Sequence, residues 1–182
     1  MAVRGVNQVD AGIAAVFVAA AVVQAVAVDH DVPGLAAFEV TGALWLSTLA
    51  LRRQRPLVPI CVIAALGVLG SVVTRLVWPD APDAGGVWIL ALMLAAYSLG
   101  AHASGRVIVL GVLLPMLVVV STDTTTRDGW ARVSGILFVT VFVGLLPTAV
   151  GRLVQVRGRR LEVLRAQRAR ILQEQRAQQR DY

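Results

Sequence analysis

The sequence predicts an all-α integral membrane protein, with six transmembrane helices followed by a cytoplasmic signalling helix. The first reason is composition: 57% of the 182 residues are hydrophobic and 15% are charged. A soluble domain of this length could not bury so much apolar surface in its core. The second is a succession of apolar runs separated by short polar turns, and the third is the uneven distribution of arginine among those turns.

Six apolar runs are each bounded by charged residues, proline or glycine, which are typical helix ends. The predicted spans cover residues 11–28, 35–51, 57–78, 87–101, 107–121 and 133–150. The first run has a second interpretation as a cleaved secretory signal, because Arg4 precedes it and Ala25 to Ala27 resembles a small-residue cleavage site. Retention as a span is favoured, since Asp10 offsets the arginine and further spans follow.

The arginines predict the orientation of the chain in the plasma membrane. On the six-span count, fourteen of the seventeen arginines fall on one side, whereas only Arg127 and Arg132 fall on the other and Arg75 lies within a span. Because cytoplasmic flanks collect arginine, residues 1–151 are expected to form a multi-pass domain with both termini in the cytoplasm. This topology also accounts for the net charge of +6, so nucleic acid is not an expected partner.

The segment 152–182 is the only long polar stretch, with nine arginines and no proline. It is predicted to be a helix about 45 Å long. Its partly apolar heptad seam consists of Val154, Leu161, Leu164, Arg168 and Ile171. This weak seam favours a parallel homodimer held together by flanking domains. The alternative is a basic helix that lies on the anionic inner leaflet.

Two further features are predicted inside or near the bilayer. Glu39 and Arg75 lie at similar depth and are candidates for an intramembrane ion pair. Alternatively, Arg75 extends to the headgroups and Glu39 is solvated. Pro147 and Gly158 bracket the membrane exit and are candidate hinges, because proline removes a backbone donor and glycine weakens a helix.

Nothing in the sequence predicts a catalytic, cofactor-binding or metal-binding residue. His30 and His102 fall on opposite sides of the predicted membrane, Cys61 is the single cysteine, and the glycines from Gly100 to Gly105 lack the lysine of a phosphate-binding loop. The lipid bilayer is the expected partner of residues 1–151, and the stimulus is left open among the state of the membrane, a lipophilic compound and a partner helix, because the outer turns are too short for a ligand-binding domain.

Three segments resemble a known family: LWLSTLALRRQRPL at 44–57, LMLAAYSLGAHASGR at 92–106, and the arginine-rich stretch at 151–180. Together they are similar to the amino-terminal half of actinobacterial sensor histidine kinases of the class paired with NarL-type response regulators. In that family, a span ends in an Arg-Arg-x-Arg-Pro-Leu turn, a later one ends in a Tyr-Ser-x-x-x-His turn, and a charged helix enters the dimerisation domain.

The resemblance implies a membrane-embedded sensory input module that relays a stimulus through its C-terminal helix to a dimeric transmitter. The family's phosphoaccepting histidine box and its site for ATP and magnesium follow that helix, and neither occurs in residues 1–182. Protein-histidine kinase activity and contact with a response regulator are therefore expected only of a parent protein. The alternative hypothesis is a free-standing small membrane protein, a transporter or a scaffold, with a basic cytoplasmic arm.

Overall fold

A computed structural model describes residues 8–28, 35–77, 86–122 and 129–180, and these ranges contain helices and short turns without a β-strand. The helices are α1 (Gln8–Val28), α2 (Leu35–Leu44), α3 (Leu57–Val77), α4 (Gly86–His102), α5 (Leu110–Thr122), α6 (Gly129–Val139) and α7 (Leu146–Arg180). Two 3₁₀ segments, Trp45–Leu51 and Gly105–Val109, extend α2 and precede α5, and a π-helical segment, Thr140–Leu145, joins α6 to α7. The all-α fold class is confirmed.

Three helical stretches are long and apolar enough to cross a membrane: Gln8–Ala27, Leu57–Val77 and Val133–Gln173. Three further apolar stretches are shorter than the roughly 20 residues that a spanning helix needs: Ala37–Leu51, Val87–His102 and Gly105–Ser121. The structure therefore has membrane-type helices, and the count of six spans stays a prediction.

Side-chain size is distributed in a way that suits a bilayer. In α1 the buried apolar positions are the small residues Ala14, Ala21 and Ala25, whereas Val16 and Val23 are 67% and 66% exposed. In water this arrangement would leave large apolar side chains in contact with solvent. In lipid it is favourable, because small residues let helices approach closely while bulky ones face the acyl chains.

Helix α4 lies in the middle of the bundle. It is in contact with α1, α3, α5 and α7, and its interface with α7 is the most extensive between any two described elements. Its buried side chains include Ala91, Ala95, Ala96 and Leu99, all fully inaccessible. Most are alanine, so neighbouring backbones can pack closely against α4 from several sides.

Helix α7 runs without interruption for 35 residues, about 50 Å. Pro147 lies in its first turn, where a missing backbone N–H is tolerated. The preceding π-helical segment ends with the N–H of Leu146 bonded to the carbonyl of Val141, a wider turn than that of an α-helix. Gly158 lies inside the helix with open space around it. The two predicted hinge residues thus occupy a continuous helix, with the irregular backbone just before Pro147.

Candidate functional site

A buried carboxylate joins the start of α1 to the turn that follows α2. Asp10 is 1% exposed. Its Oδ1 accepts hydrogen bonds from Arg52 Nη2 at 2.7 Å and Arg52 Nε at 2.9 Å. Its Oδ2 lies 2.8 Å from Nε of Arg53. Charge-assisted bonds of this length are among the stronger polar contacts in proteins, so this ion triad fixes two distant chain segments to each other.

Local sequence explains how the triad forms. Asp10 lies in the first turn of α1, where the helix dipole favours a negative charge. Arg52 and Arg53 directly follow the 3₁₀ segment Trp45–Leu51, where the chain turns before α3. Arg52 is buried with Asp10, whereas the side chain of Arg53 is 47% exposed. The site carries two guanidinium groups and one carboxylate, and it therefore keeps a net positive charge.

The pairing of Asp10 with Arg52 was not predicted from the sequence. A usable signal was present, because arginine sorting places the start of the first span and the end of the second on the same side of the membrane. An acid at one of these ends and a basic turn at the other can then meet. Gln24 was missed in the same way: its Oε1 accepts the backbone N–H of Val87 at 3.3 Å, so it caps the start of α4.

The second feature is the close crossing of α4 and α7. A Cβ atom added at Gly100 would overlap the carbonyl oxygen of Thr148, and one added at Gly151 would overlap the carbonyl oxygen of Tyr97. Because the obstructing atoms belong to the backbone, no rotamer change could relieve either clash. Thr148 is buried, and its hydroxyl donates to the carbonyl of Ala96 at 3.4 Å. The two backbones are therefore in direct contact at this crossing.

Helix α5 closes the same crossing from another side. A Cβ at Gly111 would lie 2.6 Å from the hydroxyl oxygen of Thr148, and one at Gly144 would lie 3.1 Å from Cα of Val112. The π-helical segment that contains Gly144 thus lies against α5 while the first turns of α7 lie against α4. Small residues three or four apart mark such membrane contacts in a sequence, and the pair Ala96 and Gly100 has that spacing.

The predicted pair of Glu39 and Arg75 lies on helices whose most extensive contacts differ. Helix α2, which carries Glu39, packs mainly on α1, whereas α3, which carries Arg75, packs mainly on α5 and α4, and both helices contact the 3₁₀ segment Trp45–Leu51. Both side chains are half-buried. Their ion pair stays a prediction.

The predicted dimer seam lies in the exposed part of α7. Val154, Leu161, Leu164 and Ile171 are each between 50% and 55% exposed. Apolar residues outside the seam, such as Val163, are exposed to the same degree, so exposure alone does not distinguish the seam from the rest of the arm. The homodimer also stays a prediction.

No group of three potential metal ligands occurs in the ranges that the structure describes. Cys61 is exposed on α3. His102 is engaged through its Nδ1, which lies 3.1 Å from the carbonyl oxygen of Ser98 and must donate to it. His30 lies outside the described residues.

Comparison with known proteins adds no relative: no protein family, curated protein or solved structure matches the chain. The resemblance to sensor kinases therefore rests on the motifs of this sequence alone.

Proposed function

We propose that this chain is the sensory input module of a two-component sensor histidine kinase, which relays a stimulus from the bilayer through α7 to a dimeric transmitter. The observation that carries the proposal is the continuity of α7. One helix begins with buried residues, including Thr148 and Gly151 against α4, and continues as an exposed arginine-rich arm. A rigid helix that is fixed at one end can transmit rotation or translation to whatever follows the other end.

The backbone before α7 provides a place where such a movement can begin. π-Helical turns are rare and are often found at functional sites, and this one ends at Leu145, two residues before Pro147. We infer that the segment Thr140–Leu145 adopts two arrangements of similar energy, which differ in the rotation of α7. A stimulus that favours one arrangement would then raise the population of that arrangement and rotate both arms of the dimer.

The proposed topology has six spans with both termini in the cytoplasm of the plasma membrane. Support comes from the arginine asymmetry and from the ion triad, because Asp10 and Arg52 would both lie at the cytoplasmic ends of their spans. Reporter fusions test this topology. Fusions after residues 33, 83 and 127 are expected outside, and fusions after residues 55, 104 and 165 are expected in the cytoplasm. A mature protein that begins at Val28 would contradict the six-span topology and indicate a cleaved signal.

In this proposal the chain contributes no catalytic residue and binds no cofactor. The phosphoaccepting histidine and the site for ATP and magnesium belong to the transmitter domain of the parent protein, and the response regulator contacts only that domain. The bilayer itself, a lipophilic compound or a neighbouring membrane helix could serve as the stimulus, because the turns between the predicted spans are too short for a separate ligand-binding domain.

A chimera tests the relay. Residues 1–180 would be fused in frame to a dimeric histidine kinase core, and autophosphorylation would be measured in membranes. Insertions of seven residues after Arg170 preserve the heptad register and are expected to retain activity, whereas insertions of three or four residues rotate the arm and should change it. Pro147→Ala should also change activity, because it restores a backbone donor beside the π-helical segment.

The free-standing scaffold is the competing function, and one observation favours it. The arm exposes Arg159 and Arg160 beside the apolar Val163 and Leu164, a surface that could bind an acidic partner without any dimer. Activity of the chimera that is indifferent to insertion length and to Pro147→Ala would favour the scaffold over the input module.

A further inference from the structure

A groove of about 430 Å³ opens between the turn before α3 and the turn after α4, where the ion triad also lies near the start of α3. Its polar lining includes Arg55, His102 and Ser104, and its apolar lining includes Leu57, Val58 and Val107. From the sequence, these two turns were predicted only to mark the ends of spans. In the structure they form the two sides of one open groove.

The polar side of the groove carries positive charge that can bind an anion. Arg55 is exposed and makes no ion pair with any carboxylate in the described part of the chain. The Nδ1 atom of His102 is held by the carbonyl of Ser98, which leaves Nε2 as the ring atom that can contact a ligand. The Ser104 hydroxyl adds a neutral donor. The guanidinium and the hydroxyl can both donate to phosphate oxygens, whereas Nε2 of His102 donates to them only when the ring carries both protons, because the proton on Nδ1 is already given to Ser98.

Nearby negative charge does not compete for this site. The groove lining contains no acidic residue. Asp10, the acid in the adjacent triad, is buried and engaged by Arg52 and Arg53. Arg106, in the turn after α4, is exposed and adds a further positive charge at this end of the bundle.

We propose that the groove binds one anionic phospholipid, with its phosphate at Arg55, His102 and Ser104 and its acyl chains along Leu57, Val58 and Val107. The apolar lining decides between a lipid and a free phosphate, because an inorganic anion would gain nothing from these aliphatic side chains. The inference rests on the membrane embedding within the proposed function. It does not rest on signalling, so the lipid site and the relay can fail separately.

The bound lipid would contact two segments that are far apart in the sequence. Arg55 lies in the turn before α3 and Leu57 begins that helix, whereas His102 ends α4 and Ser104 lies in the turn after it. Because α4 is the helix against which α7 packs, a lipid in this groove contacts the same helix as the relay.

Native mass spectrometry of the full chain in detergent tests the site, with dioleoylphosphatidylglycerol and dioleoylphosphatidylcholine as competing probes. The wild type is expected to retain the anionic lipid preferentially. Arg55→Gln should reduce this preference about fivefold, the ratio that corresponds to about 1 kcal/mol for an arginine near an anionic surface, and His102→Gln should reduce it by less. The matched control is the double variant Arg165→Gln and Arg170→Gln, which removes charge from the exposed arm and should leave the preference unchanged.

Thermal unfolding of each variant is measured alongside, and Arg55→Gln alone carries the test if the His102 variant does not fold. An unchanged preference in a folded Arg55→Gln protein would overturn the proposal. Equal losses in the arm control would also overturn it, because they would indicate nonspecific attraction to arginine. Displacement of the lipid by excess inorganic phosphate would show a free-anion site instead of a lipid site.

Discussion

The short buried start of α7 and its long exposed remainder differ in burial, charge and packing, although they belong to one helix. From Leu146 to Gly151 the helix contains buried Pro147 and Thr148, and its backbone touches that of α4. From Leu153 onwards nearly every described side chain is exposed, and arginine is the most frequent residue type. Packing against neighbouring helices fixes the position of the short first part, whereas the long second part is held only by its own helical hydrogen bonds.

On the proposed function, this difference separates residues that stabilise the fold from residues that would transmit a signal. Substitutions in the body, residues 8–151, should change folding, because its helices are joined by buried charges and by backbone contacts that leave no space. Substitutions in the arm should change the coupling to a partner and leave folding nearly unaffected. The following predictions test that division, beginning with the largest expected effect.

Asp10→Asn is expected to be the most destabilising single change. It leaves Arg52 buried with its charge uncompensated, and removal of one member of a buried ion pair costs about 3 kcal/mol or more. The measurement is thermal unfolding in detergent, followed by circular dichroism. A second substitution, Arg52→Gln in the Asp10→Asn background, should recover part of the loss because it removes the unpaired charge.

Arg53→Gln is the matched control for the ion triad. Its side chain is about half exposed, so water screens its attraction to Asp10 and the expected loss is below about 1 kcal/mol. Equal losses for Arg52→Gln and Arg53→Gln would show that burial does not distinguish the two arginines.

Gly151→Ala and Gly158→Ala compare the effect of one added methyl group on stability in the buried start of α7 and in its exposed remainder. The added methyl group at position 151 would overlap the backbone of Tyr97 and lie 2.8 Å from the backbone nitrogen of Ala101, so α4 and α7 must separate. Overpacking of this kind costs about 1–3 kcal/mol. At position 158 the methyl group meets open space, and the arm should gain up to about 1 kcal/mol of local helix stability.

Melting temperatures of the two alanine variants give the readout. Gly151→Ala should lower the value by several degrees and Gly158→Ala should not lower it. If the two variants melted alike, the body and the arm would not differ in the way described above.

The predicted pair of Glu39 and Arg75 tests whether the body contains a second ionic contact. Glu39→Gln and Arg75→Gln should each lower stability, and the double variant should recover about 0.5–1 kcal/mol relative to the sum of the single losses. The effect is smaller than that at Asp10 because both side chains are only half-buried. Strictly additive losses would mean that the two charges do not interact.

The positions of the helices could be predicted from the sequence because each apolar run has a distinct end. The third span was expected at 57–78 and α3 covers Leu57–Val77, bounded at its start by Pro56 and the preceding arginines. The sixth span was expected at 133–150. In the structure α6 begins at Gly129, and helical structure continues through Pro147 into the arm. Proline in a first helical turn does not end a helix, so the expected boundary at residue 151 is not marked by a break.

Contacts between helices were harder to predict than the helices themselves. Helices α1 and α4 are apolar around their whole circumference, so periodicity does not reveal which face is buried. The partners of Asp10 and Gln24 depend on helix rotation, and so does the crossing of Gly100 over Thr148. The helical structure of the arm was easier to predict, because its sequence is charged and lacks proline. The partner of the arm could not be predicted from the same features.

Disulfide cross-linking tests most directly whether the arms of two copies pair along the predicted seam, as the proposed relay requires. Single cysteines would be placed at Leu161, Glu162, Leu164 and Arg165 in a Cys61→Ser background, and oxidation would be followed in native membranes. We expect cross-linked dimers for Leu161→Cys and Leu164→Cys, which lie on the seam, and little or none for Glu162→Cys and Arg165→Cys. Uniform cross-linking around the helix, or none at any position, would contradict a dimeric signalling helix and leave the arm as a membrane-surface tail.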